Sequence, residues 1–508
     1  MIRLLFIVIP FSIVFTTYAQ KRDRDVEVDS VSVYLSDGKF DQAIILLDEK
    51  IQNNPTADLF LSRGLAKLES NNLDDALQDI RQSLQLNPAN DTCYYNIGYI
   101  YYLLGKYDES VNYYDSALLY NDDNVYYLIA RGDAFLELEN YNLAQKDYRK
   151  VILLDPEADL AYYGIALCHF NNNSYDSAKY YLSYALTFDP FDADYYYQRA
   201  LCKYFENDIE GAIRDLNFSI DIDPDNAIAL LSRAQIFIDE GNLDDALEDL
   251  NNAVIIDSLN LELLNERGNL LLNLGNYTLA LQDFNNIIKT DSQLDGAYYN
   301  RGLTYYFLDK FDYAIKDFSK AIELNDEDED YFIYRALSFI SAQKNDEAFN
   351  DFSNAIRINP SNPDIYFKRS TAFFEVEDFQ SALQDLDKAF KLDPEFPGIF
   401  LMRAEIYAEI GENEKAMKNY DLSILHNPED GEVFFKRGIF LFEIENYDGA
   451  MEDFNYSIKL NDNIPAPFTN RGLLKLELKD KAGACEDWKK AFQLGSEYAQ
   501  QLLKKHCK

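Results

Sequence analysis

The sequence predicts an all-α fold, an α-solenoid of stacked antiparallel helix pairs. A 34-residue pattern is written thirteen times between residues 57 and 498, without one insertion or deletion. Two positions in each copy are almost always small, and in the copy at 295–328 they are Gly302 and Ala314. A strict period of this length indicates helical units that bury their apolar faces by stacking on their neighbours. The copies are numbered below from the first repeat, 57–90, to the thirteenth, 465–498.

Apolar spacing within each repeat predicts two helices. In the eighth repeat Tyr298, Gly302 and Tyr305 follow one another at steps of four and three, and a second stripe runs from Ala314 to Ala321. Each stripe is typical of a helix with one buried face. The four-residue gap between the stripes is a turn that joins antiparallel helices. Pro follows the second helix in seven repeats, where it stops the helix from continuing.

An Arg directly before the first small position is the unusual feature of this repeat. It is present in eleven of thirteen copies, and an Asp follows it sixteen residues later in ten. The two copies that lack the Arg have Ile97 and Ile165 instead, and they also replace the Asp, with Tyr113 and Tyr181. Because Arg and Asp are equally far from the turn, an antiparallel hairpin places them at the same height. We therefore expect an ion pair inside each repeat, including Arg301 with Asp317, Arg335 with Asp351, and Arg437 with Asp453.

The order aromatic, small, aromatic, Ala, aromatic, Ala, Pro resembles the tetratricopeptide repeat family. The resemblance covers residues 57–498, and residues 20–56 hold a short joint and a degenerate first copy. It implies a right-handed superhelix whose first helices line a concave groove that binds proteins or peptides. Carried over position by position, that groove would contain Tyr95, Asn96, Tyr99, Tyr102, Tyr163, Phe170, Tyr197, Gln198, Tyr204 and Phe205. Whether these tyrosines bind a ligand or only pack in the interior is left open by the sequence.

The groove chemistry points to one kind of partner. Some family members grip terminal carboxylates with a Lys and Asn set, but Leu61, Tyr95 and Ile129 occupy the Lys position here. Large aromatic side chains with polar tips are typical of protein-binding surfaces. We therefore expect an apolar, aromatic or basic peptide rather than an acidic one. Carbohydrate binding, through sugars stacked on Tyr, and a purely architectural role in a cell-envelope assembly are the alternatives.

Residues 1–19 read as an export signal. Arg3 precedes an apolar run, and small residues at 17 and 19 suit signal peptidase, so cleavage is expected between Ala19 and Gln20. We expect a periplasmic or cell-surface protein with no stable membrane span once the signal is removed. An uncleaved membrane anchor is the alternative. The sequence leaves the oligomeric state open.

Five cysteines invite a disulfide search in an exported protein. Cys168 and Cys202 occupy equivalent positions one repeat apart, about a helix diameter or ~10 Å, which is too far for a bridge. They and Cys93 are interpreted as small core residues. Residues 499–508 are expected to form a capping helix against the last repeat, which makes a Cys485–Cys507 bridge plausible.

Charge and composition argue against several functional classes. The formal net charge is −41, from 88 acidic and 47 basic residues, which repels nucleic acid. The three histidines lie in distant repeats, so neither a His-based metal site nor a nucleophile–His pair is expected. No phosphate-binding glycine loop is present. The sequence predicts a non-catalytic protein without a cofactor.

Overall fold

The computed structural model describes residues 30–507, which contain 29 α-helices and, within that range, no strand. The expected signal peptide lies outside these residues. The described chain divides into two compact units, with the division between Leu263 and Leu264. Consecutive helices pack as antiparallel pairs, which confirms the predicted all-α solenoid. None of the described helices has the length and apolarity needed to cross a membrane.

Each repeat contains a first and a second helix, and a further pair precedes them. The opening pair is Ser30–Ser36 and Phe40–Asn53. In repeat order, the thirteen pairs are Ala57–Glu69 with Leu73–Leu86, Asp91–Leu103 with Tyr107–Tyr120, Val125–Glu137 with Tyr141–Leu154, Asp159–Asn171 with Tyr175–Phe188, Ala193–Phe205 with Ile209–Ile222, Ala227–Asp239 with Leu243–Ile256, Leu261–Asn273 with Tyr277–Thr290, Asp295–Phe307 with Phe311–Leu324, Glu329–Ser341 with Asn345–Ile358, Pro363–Glu375 with Phe379–Leu392, Ile399–Glu409 with Asn413–His426, Gly431–Glu443 with Tyr447–Leu460, and Pro465–Glu477 with Lys481–Gln493. A closing helix spans Glu497–His506.

A left-handed residue ends every first helix of the thirteen repeats. In the eighth repeat it is Asp309, with φ of 55°, and the next amide, of Lys310, donates to the carbonyl of Tyr305 at 2.9 Å. This geometry satisfies carbonyls that the helix end would leave unpaired. Only four of the thirteen residues are Gly, so the left-handed conformation within the predicted turn is hard to recognise from sequence.

The small positions let the two helices of a hairpin approach closely. A Cβ added at Gly302 would lie 2.7 Å from Cε1 of Phe318, which is fully buried. Such a contact is too short for a real side chain, so a larger residue would push the second helix away. Gly302 therefore allows the close approach of the two helices of the eighth repeat.

The closing helix is tied to the thirteenth repeat by the Cys485–Cys507 disulfide, whose Cα atoms are 5.9 Å apart. Trp488 is fully buried beneath it and donates from Nε1 to the carbonyl oxygen of Thr469 at 3.1 Å. Its ring contacts that of His506. The other three cysteines, Cys93, Cys168 and Cys202, are free and buried, and burial raises the pKa of each thiol.

Candidate functional site

The structure brings the expected Arg and Asp together in each of the ten repeats that contain both. Nε and Nη2 of Arg301 donate to the two carboxylate oxygens of Asp317 at 2.7 and 2.8 Å. The other pairs named above, Arg335–Asp351 and Arg437–Asp453, have the same two-pronged geometry. The Asp317 side chain is 6% exposed and the Arg301 side chain 18%, so the pair is largely removed from water. Burial by itself would lower the pKa of Arg301, but the hydrogen bond and charge of Asp317 raise it.

The same guanidinium also contacts the preceding repeat, which the sequence interpretation missed. Nη1 of Arg301 donates to Oδ1 of Asn285 at 2.6 Å, and Asn285 lies sixteen residues before it. Arg131 bonds Asp115 in the same way at 2.6 Å. An Arg that makes both contacts therefore connects three helices: its own, its hairpin partner, and the second helix of the previous repeat. The sequence contains a sign of this contact, because the residue sixteen positions before the Arg is Asp, Asn or Ser for every such Arg after the first.

The second and fourth repeats replace this ion pair with aromatic stacking. Ile97 and Ile165 are fully buried at the Arg position. Tyr113 stacks on Tyr101 with 5.4 Å between ring centroids. In the fourth repeat, Tyr181 stacks on His169 at 5.5 Å and 8°.

An Arg is nevertheless present next to both of these repeats. The positions sixteen residues before Ile97 and Ile165 hold Arg81 and Arg149, the only two Arg at that position of the repeat. Nη2 of Arg81 donates to the Tyr101 hydroxyl at 2.7 Å. In both cases the Arg is therefore found on the second helix of the previous repeat instead of on the first helix of the repeat itself.

The eleventh repeat is intermediate between the two types. Arg403 is present, but Asn419 takes the place of Asp and donates instead to the carbonyl oxygen of Lys415. Arg403 bonds the preceding repeat only, at Asp387 and the carbonyl oxygen of Leu386.

Half of the residues predicted to line the groove are buried, so that part of the prediction is wrong. The exposed fraction is 4% or less for Tyr95, Asn96, Tyr163, Tyr197 and Gln198. Successive first helices pack directly against one another, and these side chains fill the space between them. The ring of Tyr95, for example, stacks on that of Tyr127 in the next first helix, with centroids 4.9 Å apart. Such residues hold neighbouring repeats together and cannot contact a ligand.

The other five predicted groove residues reach the surface. Tyr99, Tyr102, Phe170 and Tyr204 are partly exposed, and Phe205 is 47% exposed. Three of them join Tyr175 in a group of touching rings, called here the aromatic cluster. It consists of Phe170, Tyr175, Tyr204 and Phe205.

Contacts within the aromatic cluster join the ends of two successive first helices. The rings of Tyr175 and Phe205 stack with centroids 5.0 Å apart, and Phe170 lies 5.5 Å from Tyr175 and 5.9 Å from Phe205. The Tyr204 hydroxyl donates to Oδ2 of Asp239 at 2.7 Å. The cluster thus combines an accessible apolar surface with an exposed carboxylate at its edge.

A buried carboxyl group without a cationic partner lies nearby in the sequence, in the third repeat. Asp133 is 7% exposed, and its Oδ1 accepts a hydrogen bond from the Tyr148 hydroxyl at 2.7 Å. Burial raises the pKa of Asp133 to about 7, although the Tyr148 hydrogen bond opposes this shift. Sequence reasoning did not single out this residue. No group of three or more metal-ligating side chains occurs among residues 30–507.

Family comparisons agree with this architecture. Two models described as tetratricopeptide repeat match, one at residues 296–328 and one at 61–124, 129–193, 197–260, 239–295 and 367–427. A third, described as TPR repeat, matches 336–376. The second model alone covers more than half of the chain.

Relatives match only in part. The TPR repeat-containing protein MJ1428 of Methanocaldococcus jannaschii is 22% identical over 165 residues, 29% of each chain. Human tetratricopeptide repeat protein 6 is 25% identical over 189 residues, 30% of this chain and 36% of the relative. The human protein O-mannosyl-transferase TMTC1 is 32% identical over 92 residues, 17% of this chain and 10% of the relative. The chain thus spans about a third or less of the length of these relatives.

Solved structures with a similar arrangement of helices include the APC/C hetero-tetramer Cut9-Hcn1, at 15% identity and a TM-score of 0.41, covering 98% of this chain and 99% of that one. A tetratricopeptide repeat protein from Parabacteroides merdae is 20% identical with a TM-score of 0.38, over 56% of this chain and 99% of that one. The 34-residue period, the paired helices and the extent of the family match lead to one assignment. The chain belongs to the tetratricopeptide repeat family.

Proposed function

We propose that this protein is an exported, non-catalytic scaffold that binds proteins or peptides through the face formed by its first helices. The aromatic cluster is the observation that carries this proposal. Its four rings touch one another, yet Phe205 remains 47% exposed. Rigid aromatic side chains at an accessible surface supply contact area at little cost in conformational entropy.

The surroundings of the cluster favour an apolar, aromatic or basic segment as its ligand. Asp239 is exposed beside Tyr204, and the whole chain has a net charge of −41. A Lys or Arg of the partner could lie over an aromatic ring and pair with this carboxylate. An acidic peptide or a nucleic acid would meet repulsion instead.

Export is supported by the sequence of residues 1–19 and by the Cys485–Cys507 bridge. Disulfides persist mainly in oxidising compartments such as the periplasm or the cell surface. N-terminal sequencing of the protein recovered from its native cells should begin at Gln20. A protein that begins at Met1 and remains in the membrane fraction would instead support an uncleaved anchor.

Binding by the cluster can be tested on a peptide array and a glycan array with the mature chain. We expect saturable binding to aromatic or basic peptides, and a loss of at least tenfold in affinity for the Tyr204→Ala/Phe205→Ala variant. Leu119→Ala is the control, because Leu119 is 85% exposed and lies outside the cluster. Unchanged peptide binding by the double variant would refute the assignment of this surface.

The glycan array tests the alternative that the protein binds carbohydrate. In that case the same tyrosines would stack on sugar rings, and Asp239 would hydrogen-bond to sugar hydroxyls. Glycan binding that is lost in the double variant, with no peptide binding, would replace the peptide proposal. In an architectural role, partners captured from cell-envelope fractions would be retained by the double variant.

A further inference from the structure

A second accessible site lies on the second helices of the third and fourth repeats, Tyr141–Leu154 and Tyr175–Phe188, together with His169 of the first helix Asp159–Asn171. There the surface forms an open depression. The residues that line it are Arg149, His169, Asp176, Ser177, Tyr180 and Tyr181. None of them belongs to the aromatic cluster, so the two surfaces present different side chains to a partner.

Aromatic rings form the apolar part of the depression. Tyr181 stacks on His169, and Tyr180 meets Tyr181 edge-on, at 90° with centroids 5.3 Å apart. The Tyr180 side chain is 57% exposed, and its hydroxyl lies 3.3 Å from that of Tyr184, which is 41% exposed. A group of neighbouring aromatic rings exposed to solvent is typical of a surface that contacts another molecule.

Arg149 provides a cation that the folded chain leaves without a carboxylate. Its closest polar contact is Oε1 of Gln145 at 3.3 Å, and no Asp or Glu of the described chain lies within ion-pair distance. The same helix also carries Lys146 and Lys150, against the single acidic residue Asp147. Asp147 is itself paired with Arg131. Lys150 is paired with Asp123, and Asp176, which also lines the depression, is paired with Lys179. Arg149 is therefore the cation lining the depression that has no carboxylate partner within the described chain.

The repeat pattern indicates what is missing here. In ten repeats an Arg meets an Asp carboxylate from the partner helix. In the fourth repeat the Asp is replaced by Tyr181, and the Arg has moved to position 149. In the second repeat, Arg81 donates a hydrogen bond to the Tyr101 hydroxyl. In the fourth repeat the residue equivalent to Tyr101 is His169, which has no hydroxyl to accept such a bond from Arg149. Arg149 is thus the relocated Arg that has lost its oxygen acceptor.

We propose that this depression binds a partner protein segment in which one Asp or Glu is flanked by aromatic or aliphatic side chains. The carboxylate pairs with Arg149, and the apolar neighbours pack on Tyr180 and Tyr181. The pairing that other repeats make within the chain is completed here by the partner. The net charge of the whole chain disfavours a polyanion such as a nucleic acid or an acidic polysaccharide, whereas a single carboxylate can contact Arg149 while Asp176 is paired with Lys179.

Two pools of eight-residue peptides provide the test. Both have aromatic residues at positions 4 and 6 and mixed residues elsewhere, but position 5 is Asp in one pool and Asn in the other. Retention on the immobilised mature chain is measured by mass spectrometry. We expect the Asp pool to be retained at least tenfold more than the Asn pool.

Two variants and a control show whether the depression is responsible. Arg149→Gln should bring the Asp-to-Asn retention ratio close to one, and Tyr180→Ala should weaken retention of both pools. Arg81→Gln is the matched control, at the equivalent position 68 residues earlier, and should leave the ratio unchanged. Equal retention of both pools by the unmodified chain overturns the proposal, as does an unchanged ratio in Arg149→Gln. Loss of the ratio in Arg81→Gln overturns it too, because the preference would then reflect overall charge.

Discussion

The eighth and fourth repeats share one 34-residue frame but stabilise the same place in different ways. In the eighth, Arg301 joins Asp317 and Asn285, so that one guanidinium connects three helices. In the fourth, Ile165 is fully buried at that position, and Tyr181 stacks on His169. Both solutions fill the volume between hairpins, but in the first the Arg is paired with a carboxylate, whereas Arg149 beside the fourth repeat contacts only the side-chain amide oxygen of Gln145.

This difference indicates that three positions vary together: the Arg, its Asp, and the residue sixteen positions before the Arg. When Arg gives way to Ile, Asp becomes Tyr, and the −16 residue becomes Arg, at 81 and 149. Removing the Arg or the Asp alone would leave the other charge largely buried without its partner. The thirteen repeats contain only the two complete sets, apart from the eleventh, where Asn419 follows Arg403, and the first, where Arg63 bonds Asp48 fifteen residues before it.

The largest expected effect comes from breaking the ion-paired set. Arg301→Ala leaves the carboxylate of Asp317, 6% exposed, without its cation. Breaking a buried pair in this way costs roughly 3 to 5 kcal/mol. Hydrogen exchange of the helices Asp295–Phe307 and Phe311–Leu324 should report this loss in their free energy of opening. A double-mutant cycle with Asp317→Asn provides the control, and a coupling energy near zero would show that the pair contributes nothing.

Asp133 offers a comparison within the first unit, because it is a buried carboxyl with a Tyr148 hydroxyl in place of a cation. Burial raises its pKa to about 7 in the folded chain, against about 3.9 when unfolded. The folded state therefore prefers the protonated acid. The stability that Asp133 contributes is fully present below pH ~4 and is lost as the pH rises through ~7.

Replacing Asp133 by Asn removes this pH dependence. At pH 8, Asp133→Asn should be more stable than the unmodified chain by about 2 to 4 kcal/mol, and at pH 4 the two should be similar. Denaturant midpoints at both pH values measure the difference. Asp312→Asn controls for net charge, since the Asp312 side chain is 87% exposed. If the two Asn variants shift alike, the burial of Asp133 has no effect on stability.

Transplanting the aromatic set into the eighth repeat tests whether the set is exchangeable. The triple variant Asn285→Arg, Arg301→Ile, Asp317→Tyr carries the residues of the second repeat, and Tyr305 already stands where Tyr101 does. We expect it to be within about 2 kcal/mol of the unmodified chain, because neither a charge nor a polar group is left buried and unpaired. The same exchange measurements apply. A triple variant no more stable than Arg301→Ala would show that the two sets depend on other residues.

Much of this arrangement could be predicted from the period. The pairing of Arg301 with Asp317 follows from equal distance to the turn and from the joint absence of both residue types. The contact with Asn285 could also be predicted, because Asp, Asn or Ser recurs sixteen residues before the Arg. Recognising it requires a comparison of each Arg with the second helix of the preceding repeat, not only with residues of its own repeat. The left-handed residue of each turn, such as Asp309, could not be recognised, because L-residues with positive φ carry no strong sequence signal.

The candidate binding surface was predicted less well, for a physical reason. The family resemblance indicates which residues point to the first-helix face but not how closely successive first helices approach. Tyr95 and Phe205 therefore look alike in sequence, although one is 4% exposed and the other 47%. Their difference depends on the neighbouring ring: Tyr127 covers Tyr95, whereas the end of the helix leaves Phe205 accessible.

The smallest expected loss of stability comes from replacing Arg81, in contrast to the large loss expected for Arg301. Arg81 is exposed and makes one hydrogen bond, to the Tyr101 hydroxyl at 2.7 Å. Arg81→Gln should therefore cost no more than about 1 kcal/mol, measured by exchange of the helix Asp91–Leu103. Tyr101→Phe removes the acceptor and keeps the ring on Tyr113, so it should have a similarly small effect. A loss as large as that of Arg301→Ala would mean that the relocated Arg holds the second repeat together, and stacking between Tyr101 and Tyr113 would no longer explain its stability.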